Sequence, residues 1–137
     1  MLGSALFTGA AIYINLVEHP ARMGCGTELA ATEFAPSYER AVGMQVPLAV
    51  ASTVAGVAAW LMTGTILYLI GALLIFSVIP FTLIVIMPTN KRLLDPGRDR
   101  SSAETRALLD KWGKLHAVRS VLSLIASSMF LVSILRG

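Results

Sequence analysis

The chain has 137 residues, 55% of them hydrophobic and only 14% charged, with a net charge of +3. A mean hydropathy of +0.73 is too high for an ordinary soluble domain of this size and indicates a membrane protein. The single cysteine, Cys25, excludes an internal disulfide and any CxxC redox motif.

About 20 apolar residues, each rising about 1.5 Å in a helix, cross a hydrocarbon core about 30 Å thick. Four segments fit: 1–17, the shortest, then 45–62, 65–87 and 117–135. The first has no Lys or Arg and continues into "NLVEHPARM", so it reads as a retained helix and not as a secretory signal. Its end places Asn15, Glu18, His19 and Arg22 on one helical face, provided that Pro20 does not break the helix.

In "EFAPSYERAVGMQVPLAV", Pro36 suits the first position of a helix, so the second helix is expected to start there, before its membrane segment. Tyr38 and Gln45, seven residues apart, share a face, and Ala51, Ala55 and Ala59 supply a small-residue stripe for close packing in lipid. A short connection at Thr63 and Gly64 leads to the third helix. Pro47 and Pro80 are expected to kink their helices, and Pro88 to mark the exit of the third. That exit, "MPTNKRLLDP", supplies Asn90, Lys91 and Arg92. In "SSAETRALLDKWGKLH", Ser101 and Glu104 have the spacing of a capping box, so a helix is expected to run into the fourth span. Trp112, His116 and Arg119 share a face there, continued by Ser120, Ser123 and Ser127.

The expected architecture is therefore all-α: one domain over 1–137, an up-down-up-down four-helix membrane bundle with loops at 18–44 and 88–116. The first loop carries two arginines against four glutamates; the third, counted through Arg119, carries eight basic residues against four acidic ones. The Lys/Arg excess assigns both loops to the cytoplasmic side of the cell's inner membrane and both termini to the outside. The basic loop is explained as a topology signal, and nucleic-acid binding is not expected. The small-residue faces suit packing within the bundle or between copies of the chain.

Charge is costly inside a membrane, about 2.5–3.5 kcal/mol at its centre, so ionisable groups there need partners or a purpose. Topology brings all four polar clusters to the cytoplasmic end, where a polar pocket floored by apolar side chains is expected. Simpler roles stand beside that one. Lys91, Arg92 and Arg22 suit snorkelling anchors, Trp112 suits an interfacial belt, and Glu18 suits an ion pair with Arg119 or Arg22. His19 and His116 are the only histidines.

Three motifs complete the reading: Asn15, Glu18 and Pro20 after the first span; Pro88, Asn90 and Lys91 after the third; and Trp112, His116 and Arg119 entering the fourth. Together they resemble the anthrone oxygenase-like family of small membrane proteins. That resemblance implies a cofactor-independent oxygenase converting an anthrone to an anthraquinone, although bacterial relatives need not share the reaction.

For such a reaction on a lipophilic aromatic, anthrone- or quinol-like molecule, His116 is the expected base, oriented by Glu18 or with Glu18 as the alternative base. Arg119, Lys91 and Asn90 are the candidates to stabilise the developing oxyanion. Asn15, Arg22, Tyr38, Gln45 and Trp112 are the expected substrate-binding residues, with Trp112 and Tyr38 stacking on the ring. Two other readings stay open: a metal or haem site built on His19 and His116 with Glu18 or Glu39, and a non-enzymatic bundle that binds a lipid or a partner subunit.

Overall fold

The computed structural model describes residues 1–137. It is all-helical and consists of four antiparallel helices: α1 over 2–24, α2 over Thr27–Thr63, α3 over Ile66–Leu93 and α4 over Ala103–Arg136. The last three are long and apolar enough to cross a membrane. Two tight connections rest on glycines with positive φ. Gly26, at +96°, starts α2, and Gly64, at +71°, closes it; side chains are strongly disfavoured in that region.

Several helix boundaries differ from the sequence expectation. α2 begins at Thr27, and Pro36 and Pro47 lie within it without ending it. α3 continues past Pro88 to Leu93. The cap of α4 is Ser102, whose side chain accepts from the Thr105 amide, whereas Ser101 bonds back to Asp99. The expected loops 18–44 and 88–116 are thus largely helical.

Both α1 and α3 contain one widened turn just before a proline-containing segment. In α1 the His19 amide bonds to the Ile14 carbonyl, five residues back, and Pro20 follows. In α3 the Met87 amide bonds to the Thr82 carbonyl, and Pro88 follows. Proline has no N–H to give to the preceding turn, and a wide turn absorbs that loss without ending the helix.

The register between helices is set by close approaches. α1 runs antiparallel to α4, with Thr8 bonded to Ser127 at 2.9 Å and Asn15 bonded to Ser120 at 2.6 Å. Toward α2, Gly3 sits against Ser52, and Arg22 against Ser37. Phe130 of α4 wedges between α2 and α3, where a Cβ on Gly56 or Gly71 would come within 2.8 Å of its ring. The packing stripe of α2 is Ala49, Ser52 and Gly56, all buried, while the expected Ala51 and Ala55 face outward. In lipid both helix faces are apolar, so hydrophobicity does not mark the packed face; small size and close approach do.

Candidate functional site

A cavity of about 120 Å³ lies among all four helices, near the end where α1 and α3 finish and α2 and α4 begin. Its wall is mainly apolar, from Phe7 and Ile14 to Val78 and Leu83. The widened turns contribute directly: Ile14 comes from the one in α1, and Thr82 and Leu83 come from the one in α3. Six of the residues picked from the sequence line it: Arg22, Tyr38, Gln45, Trp112, His116 and Arg119.

His116 is 1% exposed and held from α1. Its Nδ1 lies 2.8 Å from Asn15 Oδ1. The amide is oriented by its other end, since Asn15 Nδ2 donates to the Gly113 carbonyl at 3.0 Å and Oδ1 also accepts from Ser120. Oδ1 can only accept, so Nδ1 of a neutral His116 carries the hydrogen and the Nε2 lone pair stays free. Asn15 therefore does what was expected of Glu18: it fixes His116.

Glu18 is engaged elsewhere. It accepts from Arg22 at 2.9 Å and forms a short hydrogen bond with the Ser37 hydroxyl. It lines a separate, more open cleft between α1 and α2, along with Glu33 and Arg40. Burial acts to raise its pKa, but the Ser37 hydroxyl and the Arg22 cation outweigh this and hold the carboxyl below its ordinary value. The ion pair is with Arg22 and not with Arg119. Arg22, its side chain 4% exposed, also lies 2.8 Å from Glu33 and over the rings of Phe34 and Trp112.

Trp112 is buried at the centre of an aromatic group. His116 stacks on it at 4.8 Å between centroids, His19 packs at 5.2 Å, and Phe34 meets it edge-on at 5.1 Å. Tyr38 stacks on Phe34. His19 donates through Nε2 to the Leu109 carbonyl at 3.0 Å, and burial together with the neighbouring Arg22 cation pushes its pKa down. That contact needs Gly113, because a Cβ there would stand 2.8 Å from the His19 ring.

Arg119 donates to Gln45 Oε1 at 2.8 Å and lies over the Phe7 ring. Asn90 is fully buried with neither side-chain polar atom bonded, and Lys91 is exposed; neither lines the cavity. No group of three or more His, Cys, Asp or Glu residues is arranged to hold a metal. His19 and His116 each have one ring nitrogen taken, by Leu109 and Asn15, and Glu39 is exposed. Phe7, Ser37 and Gly113 carry no signal of their own in the sequence, being an ordinary apolar, hydroxyl and glycine position.

A family model described as anthrone oxygenase matches residues 34–129, more than two thirds of the chain. The match includes Tyr38, Gln45, Trp112, His116 and Arg119 and leaves Asn15, Glu18, His19 and Arg22 outside. Anthrone oxygenase tpcL of Aspergillus fumigatus is 40% identical over 72 residues, which are 50% of this chain and 45% of that protein. The match thus spans less than half the length of that curated relative. No solved structure matches the chain. On the extent of the family match, the chain belongs to the anthrone oxygenase family.

Proposed function

We propose that this protein is a membrane-embedded oxygenase for a lipophilic, anthrone-like aromatic molecule, with His116 as general base and no resident cofactor. The observation that carries this reading is the Asn15–His116 hydrogen bond, which leaves Nε2 as a free base on the wall of a mainly apolar cavity. Family membership supplies the reaction class.

The chemistry balances on substrate and dioxygen alone. Nε2 takes a proton from the ring methylene, and the resulting anion spreads its charge to the ring carbonyl oxygen, near the Arg119 cation. The anion passes electrons to O₂ and a carbon–oxygen bond forms, giving a peroxide that takes the proton back from His116. His116 then removes the second hydrogen of the same carbon as a proton. The freed electron pair becomes the new C=O bond as the O–O bond breaks, and the departing hydroxide takes the proton to leave as water. One ketone and one O₂ become one diketone and one water, with no external reductant. Trp112 and Tyr38 offer aromatic surface to the flat ring, and the apolar wall keeps water from the anion. The basic third connection, near this end of the bundle, supports a cytoplasmic orientation of the cavity.

Oxygen uptake by the purified protein in detergent, with anthrone as substrate, tests the reading. Replacing a general base costs about 10²–10⁴-fold in rate, which is the fall expected for His116→Ala. Absence of uptake by the parent protein, or an unchanged rate in the variant, rejects it.

A further inference from the structure

Gln45 is 2% exposed, comes from α2 and lines the cavity. Its Oε1 is taken by Arg119 at 2.8 Å, which fixes which end of the amide is which, yet its Nε2 has no partner. Arg119, held over Phe7, likewise has an unpartnered buried Nε–H. Trp112 adds a third unpaired N–H on the same wall. Buried polar groups in folded proteins are normally hydrogen-bonded, so three unpaired donors around one cavity call for an explanation. The free group of opposite kind on that wall is the His116 Nε2 lone pair.

We infer that Gln45 and Arg119 form a socket for a carbonyl oxygen, so that this site selects a flat aromatic ketone over a hydrocarbon of the same shape. A carbonyl oxygen offers two lone pairs and no hydrogen, which matches a pair of donors. The socket deepens the oxygenase reading and rests on it for its catalytic meaning. Proton loss from the substrate sends charge to the carbonyl oxygen, so donors at that oxygen bind the anion more strongly than the neutral ketone. His116 from α4 and Gln45 from α2 then serve two ends of one conjugated ring.

The test measures binding, independently of turnover. The chain has two tryptophans, Trp60 and Trp112; with W60F, Trp112 alone reports from the cavity wall. Its quenching is titrated with anthraquinone and with anthracene, two flat three-ring molecules that differ in carbonyl oxygens. Hydrogen bonds that include a charged donor predict at least about tenfold tighter binding of anthraquinone. In Gln45→Leu, which removes the neutral donor and keeps Arg119, that preference falls by about twofold to tenfold, while anthracene, which reports an intact cavity, binds as before. If Gln45→Leu does not fold, Gln45→Met serves in its place. Equal affinity of the two ligands in the parent, or a preference that the substitution leaves undiminished, overturns the socket. A parent protein that prefers anthraquinone but shows no oxygen uptake with anthrone overturns the oxygenase reading and leaves the socket standing.

Discussion

Asn15 and His116 lie 101 positions apart in the chain, yet their side chains are joined by a 2.8 Å hydrogen bond from ring Nδ1 to amide oxygen. The amide belongs to the widened turn of α1 and spans to α4 at three points: Gly113, His116 and Ser120. Asn15→Leu removes the acceptor that fixes the imidazole tautomer. We expect kcat to fall by about tenfold to a hundredfold, a part of the full general-base contribution, with little change in KM. Asn15→Asp, which keeps an acceptor, restores most of the rate. Steady-state oxygen uptake per folded protein checks this; equal kcat in all three proteins would show that Asn15 acts only in folding.

Gly113 lets the His19 ring sit against α4. A methyl group at 113 has to displace that ring and its bond to Leu109, so Gly113→Ala is expected to destabilise the protein by about 1–3 kcal/mol. Thermal unfolding in detergent, followed by tryptophan fluorescence, measures the loss. An unfolding midpoint equal to that of the parent contradicts the tight approach.

Phe130 fills the gap left by Gly56 and Gly71. Gly71→Ala is expected to destabilise by overpacking, and Phe130→Leu by loss of ring contacts. The double variant is expected to be less damaged than the two losses added together, with a coupling of about 0.5–3 kcal/mol. Simple additivity would show that the ring does not occupy the glycine gap.

The Glu18 carboxyl is held below its ordinary value of 4.5. A group with a depressed folded pKa adds stability above its unfolded value, and that stability disappears as the pH falls through the folded value. Glu18 therefore contributes stability that is lost on acidification below about pH 4.5, while Glu33, whose pKa burial and the Glu18 hydrogen bond raise, acts in the opposite direction. Glu18→Gln is expected to be less stable at neutral pH and to show a flatter acid limb. Unfolding midpoints measured from pH 7 to pH 3 decide it, and parallel curves for the two proteins remove Glu18 from the account.

Apolar length and the positions of polar clusters were legible in the sequence because lipid imposes them. A span must be long enough and largely uncharged, and ionisable groups gather where the helices leave the hydrocarbon. That was enough to foresee four helices, with Trp112, His116 and Arg119 on one face of α4; the cavity at that end is mainly apolar where a polar pocket was expected. Helix ends were less legible: local rules for proline suggested a start at 36 and an exit at 88, whereas the helix runs through both, with a widened turn just before Pro88.

Partner choice was decided only by the tertiary structure. From spacing alone, Asn15 and Glu18 on α1 were equally placed to meet His116, since they lie on the same face less than one turn apart. The widened turn and the register between α1 and α4 direct Asn15 to His116, while Ser37 and Arg22 engage Glu18. The rotation of each helix about its own axis was hidden for a related reason: lipid-facing and core-facing side chains are both apolar, so hydrophobic periodicity does not distinguish Ala51 from Ala49. The fit of Phe130 against two glycines, and of His19 against a third, fixes that rotation by shape.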